Sequence, residues 1–176
     1  VDTVVAGNRE RDHRWGFTTP PKLTLKSLMS FASHPKWALN YLTHEKFQLA
    51  NVSHWTKKGS SIAKGVMEYI NEQYDPAMSW KDAEYVVKRW GGPFALKGVM
   101  SVEDAKRAVE IGASAIMLSN HGGRQLDGSR SPFDQLPAIA DAVGGKIEII
   151  LDGGVRRGTH VLKALSLGAT ACSFGK

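Results

Sequence analysis

Residues 147–174 read IEIILDGGVRRGTHVLKALSLGATACSF. An apolar run from Ile147 to Leu151 predicts a buried strand, and the glycines that follow Asp152 predict a turn. Apolar residues then recur at helical spacing from Thr159 to Leu167, and a second apolar run from Thr170 to Phe174 predicts another strand. A strand, a helix and a strand in one short stretch predict a parallel βαβ unit, because parallel strands need a crossover connection.

The same unit recurs in the residues that precede it. Phe94 to Lys97 and Ala115 to Ser119 have the apolar runs of buried strands. Ser101 is predicted as the N-cap of a helix that ends at about Ile111, and Leu136 to Val143 predicts a further helix. Apolar strands that alternate with helices predict an α/β fold in which helices cover a parallel sheet.

Polar groups follow every predicted strand. The strands end at Lys97, Ser119, Asp152 and Gly175, and glycine, polar or charged residues come next at each end. An open doubly wound sheet would collect its chemistry at one switch point, whereas a (β/α)8 barrel builds its site from the loops after all its strands. The pattern therefore favours a barrel.

Composition excludes several classes of protein. The chain has 176 residues, of which 42% are hydrophobic and 23% are charged, as in a globular domain. Its single cysteine, Cys172, excludes an internal disulfide and a multi-thiolate metal site, and we predict no metal and a reducing, cytoplasmic compartment. No apolar run approaches the roughly 20 residues of a membrane-spanning helix, and Val1-Asp2-Thr3 lacks a signal pattern, so secretion is not expected.

The positive charge is concentrated in one segment. Between Arg11 and Ile70 there are nine Lys and Arg against three Asp and Glu, which equals the whole net charge of +6, and the remaining residues balance. Residues 11–74 also lack the strand and helix alternation, apart from helices predicted around Leu23 to Ala32 and through Leu42. We interpret residues 11–74 as a basic insertion or lid within a domain that comprises residues 1–176.

One loop pairs a titratable base with a cation. After the strand that ends at Ser119, His121 is followed by two glycines and then by Arg124. A neutral imidazole accepts a proton near pH 7, and the planar Arg side chain matches a carboxylate, so the pair suits an anionic substrate that must lose a proton. The alternative is a structural loop in which the His caps a helix and the Arg is solvated.

A second loop has the features of a phosphate site. Glycines after Asp152 and a predicted helix start offer backbone N–H groups and the positive end of a helix dipole, and Gly175-Lys176 follows the next strand. The third glycine of a dinucleotide fingerprint is missing, so we predict a mononucleotide phosphate site. A plain turn is the alternative.

Lys97 has two interpretations of its own, a surface lysine or a cation that faces a developing negative charge.

These segments together resemble the FMN-dependent L-2-hydroxy acid dehydrogenases and oxidases, a family that includes L-lactate dehydrogenases, glycolate oxidases and mandelate dehydrogenases. The resemblance covers the whole chain in order, and the insertion is most similar to the bacterial lactate and mandelate dehydrogenase branch. The matching segments are VDT at 1–3, GNRE at 7–10, HPKW at 34–37, LAN at 49–51, SWKD at 79–82, LKG at 96–98, SNHGGRQLD at 119–127 and DGGVRRG at 152–158.

The resemblance implies roles for individual residues. His121 would be the catalytic base and Asp2 its partner carboxylate, while Arg9 and Arg124 would clamp the substrate carboxylate. The implied FMN contacts are those of Lys97 and Ser119 with the flavin ring, and of Asp152, Gly153, Gly154, Val155, Arg156, Gly175 and Lys176 with the ribityl chain and phosphate. At position 176 the family pattern has Arg, so Lys176 would offer a point charge in place of a bidentate fork.

The resemblance also implies a fold and a reaction. The chain would hold the C-terminal part of a (β/α)8 TIM barrel, strands 5 to 8 plus the end of strand 4, with the insertion after strand 4, and would be a fragment of the full enzyme. That enzyme would oxidise an L-2-hydroxy acid to the 2-oxo acid, pass electrons to a quinone, a cytochrome or oxygen, and form a homotetramer.

Several other functions are compatible with the sequence. The basic insertion mixes aromatic residues with lysines, which predicts contact with an anionic surface such as the inner face of the cell membrane. A pI near 9.5 is typical of nucleic-acid binding, but no recognition motif accompanies it, so no nucleic-acid partner is expected. The remaining alternatives are a flavin-free phosphate-binding barrel enzyme and an inactive fragment whose insertion binds a membrane or nucleic acid.

Overall fold

A computed structural model describes residues 14, 16, 24–45, 75 and 77–175. The chain divides into two compact units, the larger of which contains Asp75–Lys176, while the smaller is Asn8–Tyr74. The smaller unit has two described helices, α1 (Leu25–Ala32) and α2 (Pro35–Thr43). The larger unit has, in chain order, α3 (Trp80–Trp90), β1 (Ala95–Lys97), α4 (Val102–Glu110), β2 (Ala115–Leu118), α5 (Pro132–Val143), β3 (Glu148–Asp152), α6 (Gly158–Ser166) and β4 (Ala171–Ser173).

The four strands form one parallel sheet in the order β1-β2-β3-β4. Each strand pairs with the next along the chain, with Leu96 beside Ile116 and Ile116 beside Ile149. The helices α4, α5 and α6 connect successive strands. This singly wound, parallel arrangement confirms the predicted α/β class, and it brings the carboxyl ends of all four strands to one edge of the sheet.

The core lies between the helices and one face of the sheet. The row Leu96, Ile116 and Ile149 belongs to this face, and Leu118 and Leu151 continue it. Burial of a large aliphatic side chain contributes about 1.5–3 kcal/mol, so these rows fix the strand register. The helices cover the face with small and aliphatic side chains, namely Ala105, Ala108, Leu136, Ile139, Val143 and Ala164.

The opposite face of the sheet is less buried. Lys97 pairs with Met117, Met117 with Ile150, and Ile150 with Ala171, and these side chains are half-buried or exposed. Ser119, directly after β2, and Asp152, at the end of β3, come two residues later on the same face because side chains alternate along a strand. The polar residues therefore extend this face at its carboxyl edge.

The predicted elements agree with the observed ones to within a few residues, with two differences. The helix expected at Leu136 begins earlier, at Pro132, because the Ser131 hydroxyl accepts the N–H of Asp134 and caps it. Helix α3 (Trp80–Trp90) was not predicted as a helix. Asp82 accepts hydrogen bonds from the Ser79 N–H and hydroxyl at its start, and Gly91 ends it in the left-handed conformation at φ 67°.

The smaller unit contains an aromatic stack between its two helices. The rings of Phe31 and Trp37 lie 5.3 Å apart, and those of Trp37 and Tyr41 lie 5.4 Å apart.

Of the residues that the structure describes, none forms a helix long and apolar enough to cross a membrane.

Candidate functional site

A hydrogen bond joins the ends of β2 and β3. The Ser119 hydroxyl donates to Asp152 Oδ2 at 2.6 Å, although the two residues are 33 positions apart. Ser119 is 2% exposed and Asp152 is half-buried, so this bond is partly shielded from water. The same hydroxyl oxygen accepts the backbone N–H of His121 at 3.2 Å. Ser119 thereby connects the loop that carries the predicted base with the loop that carries the predicted phosphate site.

His121 has a left-handed backbone, with φ 58°. This conformation is uncommon for a residue other than glycine and costs on the order of 1–3 kcal/mol, so neighbouring contacts must hold it. The bond from the His121 N–H to Ser119 supplies one such contact. Gly122 and Gly123 follow with φ 67° and 70°, which explains why the loop needs two glycines after the His.

Asn120 also shapes this loop, although it was not among the predicted site residues. Its Oδ1 accepts the Gly122 N–H at 3.1 Å, and its amide donates to the Arg130 carbonyl at 3.2 Å. The two bonds tie the short turn at His121–Gly123 to the far side of the loop. An Asn directly before His-Gly-Gly is the signal that could have identified it, because Asn side chains commonly bond to the backbone two residues ahead.

The loop after β3 has the form expected of an anion site. Gly153 and Gly154 have φ values of 103° and 71°, and a Cβ at Gly154 would meet no atom within 4 Å. Among the described residues, no hydrogen bond is seen from the N–H groups of Gly154 or Val155. Helix α6 begins at Gly158, so its positive end lies beside this loop.

The cationic predicted residues are accessible to a ligand. Lys97, the last residue of β1, Arg124 in the His121 loop and Arg156 after β3 are all exposed. A cavity of about 230 Å³ adjoins Lys97, between the start of α3 and the end of β1. A second cavity of about 310 Å³ adjoins Gly153, Gly154 and Val155.

The structure brings together part of the predicted site. Ser119, His121 and Asp152 are linked by hydrogen bonds, whereas Lys97 lies on the next strand. Gly175 is described and exposed two residues after β4. The predictions for Asp2, Arg9 and Lys176 lie outside the described residues. Within residues 24–45 and 77–175, no group of three or more His, Cys, Asp or Glu side chains is arranged to hold a metal ion.

The loop after β3 fits the phosphate end of a mononucleotide cofactor. An anion there would meet the Gly154 and Val155 N–H groups, the α6 dipole and the cation Arg156. The glycines let a ligand approach the backbone closely because no side chain intervenes. Asp152, half-buried at the start of the loop, offers a carboxylate oxygen to hydroxyl groups. The donor set therefore suits a ligand with a hydroxylated chain and a phosphate.

Comparison with known proteins points to the same cofactor. The profile of a family described as FMN-dependent dehydrogenase matches residues 1–176. An L-lactate dehydrogenase of Alcaligenes faecalis is 41% identical over 177 residues, and one of Yersinia pestis (strain Pestoides F) is 42% identical over the same length. Each alignment covers 100% of this chain and 46% of the relative. The chain thus spans about half the length of these curated relatives.

Solved structures agree with these relatives. The crystal structure of the monotopic membrane protein (S)-mandelate dehydrogenase matches with a TM-score of 0.87 and 32% identity, over 99% of this chain and 46% of that one. Mandelate oxidase with (S)-2-phenylpropionate matches with a TM-score of 0.54 and 48% identity, over 56% of this chain and 29% of that one. These findings confirm the resemblance and the prediction of a partial (β/α)8 barrel.

Proposed function

Because the chain belongs to the FMN-dependent dehydrogenase family, we propose that the complete protein oxidises an L-2-hydroxy acid, such as L-lactate, to the corresponding 2-oxo acid. The substrate loses its hydroxyl proton and the hydrogen on C2. That hydrogen leaves either as hydride, with both electrons of the C–H bond, or as a proton, in which case both electrons stay on C2 and would then pass to the cofactor. FMN supplies the two-electron acceptor when it is bound.

The residues of the His121 loop carry the proton and the substrate in this proposal. His121 holds the proton that the substrate gives up, and Asp2 stabilises the resulting imidazolium. Arg124 and Arg9 bind the substrate carboxylate through their planar forks. The accessible Arg124 and the half-buried His121, three residues apart in one constrained loop, support this assignment.

The cofactor is proposed to lie along the carboxyl edge of the sheet. Lys97 and Ser119 would contact the flavin ring, where the positive charge of Lys97 would stabilise negative charge. The loop from Asp152 through Gly153, Gly154 and Val155 to Arg156 holds the ribityl chain and the phosphate. Gly175 and Lys176 complete the phosphate site.

One observation carries the proposal furthest. The buried Ser119 hydroxyl bonds to Asp152 and to the N–H of His121, so the loop of the base and the loop of the cofactor are held in one fixed geometry. The proton acceptor and the electron acceptor must both reach the same substrate carbon and its hydroxyl group. A rigid link between the two loops is what that requirement predicts.

Replacement of His121 by Asn in the complete protein tests the assignment. Asn tolerates the left-handed backbone of position 121, so the loop keeps its shape while the base is lost. We expect bound FMN to be retained and kcat for L-lactate to fall by about 10²–10⁴-fold. His44→Asn, at an exposed position in the smaller unit, is the control and should keep its turnover. Near-normal turnover in H121N would contradict the role of His121 as base.

Two further expectations stay predictions. The electron acceptor is a quinone, a cytochrome or oxygen, and stopped-flow reoxidation of the reduced protein with each acceptor distinguishes them. The homotetramer is checked by the sedimentation of the complete protein.

A second proposal concerns the membrane. We propose that the smaller unit binds an anionic lipid surface through α1 and α2, which expose aliphatic side chains beside the cations Lys26 and Lys36. Leu25 and Leu42 are 75% and 79% exposed, so neither side chain is packed in a core of the described residues. The similar (S)-mandelate dehydrogenase is a monotopic membrane protein, which supports this interpretation. Lipid-facing Lys and Arg contribute about 1 kcal/mol each.

Co-sedimentation with phosphatidylglycerol vesicles tests the second proposal. Leu25→Ser combined with Leu42→Ser should weaken vesicle binding of the complete protein with little effect on folding, because both side chains are exposed. Leu162→Ser in α6, at a position that is 66% exposed, is the matched control and should bind as the wild type does. Equal vesicle binding by the double variant and the wild type would contradict the proposal.

A further inference from the structure

The start of α6 is held by a histidine. His160 is the third residue of the helix, and its imidazole Nδ1 accepts the backbone N–H of Arg156 at 3.3 Å. A side chain at the third position commonly reaches back to a free N–H at the helix start, and Glu or Gln usually does so. Arg157, the N-cap residue, makes no capping hydrogen bond through its own side chain. The contact from His160 does not cap the N–H groups of the helix itself; it ties Arg156, the residue before the N-cap, to the first turn of α6.

This contact lies at the end of the loop that suits a phosphate. Arg156 closes the segment that begins at Gly153, and Gly154 and Val155 lie between them. Gly153 and Gly154 have positive φ and no side chain, so they leave the backbone of this loop with wide conformational freedom. His160 also lines the cavity of about 310 Å³ beside these residues, together with Lys163 one turn further along α6. The His160 contact is thus a restraint on the backbone between the glycines and the helix.

We propose that His160 is a positioning residue for the phosphate of FMN. By accepting the Arg156 N–H, it fixes the loop so that the Gly154 and Val155 N–H groups stay available to the phosphate. The inference rests on the proposed function, since it assumes that FMN binds at this loop. It assigns His160 no contact with the substrate and no part in the proton transfer.

The proposal predicts an effect that depends on the phosphate. Riboflavin has the flavin ring and the ribityl chain of FMN but no phosphate, so its binding should depend little on the Gly154 and Val155 N–H groups, which the phosphate alone would meet. The quantity to measure is the ratio of the Kd for riboflavin to the Kd for FMN. A general loss of structure would weaken both ligands and leave this ratio unchanged.

Two variants of nearly equal shape isolate the hydrogen bond. In His160→Asn, the Oδ1 occupies the position of the imidazole Nδ1 and can accept the Arg156 N–H. In His160→Leu, a methyl group occupies that position and accepts nothing. We expect His160→Leu to lower the ratio about three- to tenfold, the worth of one hydrogen bond, and His160→Asn to stay within about twofold of the wild type.

The experiment is a fluorescence titration of the complete apoprotein with FMN and with riboflavin. Riboflavin binding reports whether each variant is folded, and His160→Ala replaces His160→Leu if the latter fails that check. An unchanged ratio in the variant without an acceptor, or an equal loss in His160→Asn, would overturn the inference while the proposed function stands. A wild-type protein that binds no FMN would overturn both.

Discussion

Ser119 is the residue at which the two loops of the candidate site meet. Its hydroxyl donates to Asp152 and accepts from the His121 N–H, and it lies almost fully out of solvent. A buried hydroxyl with both functions satisfied stabilises its neighbours, and its removal leaves the N–H and the carboxylate without their partner.

Replacement of Ser119 by Ala should therefore destabilise the complete protein by about 1–3 kcal/mol and lower its turnover. Urea unfolding and steady-state kinetics measure the two effects. Ser129→Ala is the matched control, because the Ser129 hydroxyl is buried and meets no hydrogen-bond partner among the described residues. The control should be within about 0.5 kcal/mol of the wild type or more stable. Equal stability of S119A and S129A would show that the Ser119 bonds contribute nothing.

The sequence predicts residues that act through their own chemistry better than residues that act through the backbone. His121 and the glycines of residues 152–158 stand out because their types and spacing are unusual. Asn120 and His160 escape notice because their contribution is a bond to a neighbouring N–H. The partnership of Ser119 with Asp152 depends on the sheet register, which a single sequence does not contain.

Helix α3 shows how an element can be set by its ends. Hydrogen bonds from the Ser79 hydroxyl and, next, from the Ser79 N–H hold the pKa of the Asp82 carboxyl below its ordinary value of 3.8. A carboxyl whose pKa is lowered by folding stabilises the folded state above that ordinary value, and this stability is lost as the pH falls through the lowered pKa.

Acid unfolding tests the role of Asp82. The wild type should lose more stability than Asp82→Asn as the pH falls from about 5 to about 3, because only the wild type must protonate this carboxylate. Urea midpoints across this pH range measure the difference. Asp141→Asn, on the exposed side of α5, controls for the loss of one negative charge. Parallel pH profiles for the wild type and D82N would rule out a stabilising capping contact at Asp82.

The turn that follows α6 approaches α5 closely at one glycine, Gly168. Gly168 has φ 99°, and a Cβ there would lie 2.6 Å from the Ala140 Cβ. Gly168→Ala should cost about 2–4 kcal/mol, from backbone strain and overpacking together. Gly158→Ala, where a Cβ would meet nothing within 4 Å, should leave stability unchanged or raise it by up to about 1 kcal/mol. Denaturant unfolding compares the two, and a small loss in G168A would mean that the turn after α6 moves away from Ala140 readily.

Elements that bury one face were predictable, and those set by local caps were less so. The strand at Ala115–Leu118 follows from a continuous apolar run, and the strand at Glu148–Asp152 follows from the apolar residues Ile149, Ile150 and Leu151. Helix α3 has apolar residues at helical spacing, Trp80, Ala83 and Val87, but it buries only Val87 fully, and its capping pair Ser79 and Asp82 is a further signal. The early start of α5 at Pro132 likewise follows from a cap and not from periodicity.

At the scale of the whole molecule, the parallel sheet explains why the chemistry gathers in one place. The register of four strands brings Lys97, Ser119 and Asp152 to one edge of one sheet. The polar residue at each strand end indicates that arrangement from the sequence. The similarity to longer relatives indicates the complete barrel of which the sheet is a part. Since the chain covers 46% of those relatives, catalysis is expected of the complete protein.

Anaerobic mixing of the complete protein with L-lactate tests whether the protein is a flavin-dependent L-2-hydroxy acid dehydrogenase. We expect the purified protein to have the visible absorbance of FMN and L-lactate or another L-2-hydroxy acid to bleach it, while the D-enantiomer does not. A colourless protein, or a flavin that L-lactate, L-mandelate and glycolate all leave oxidised, would contradict this expectation.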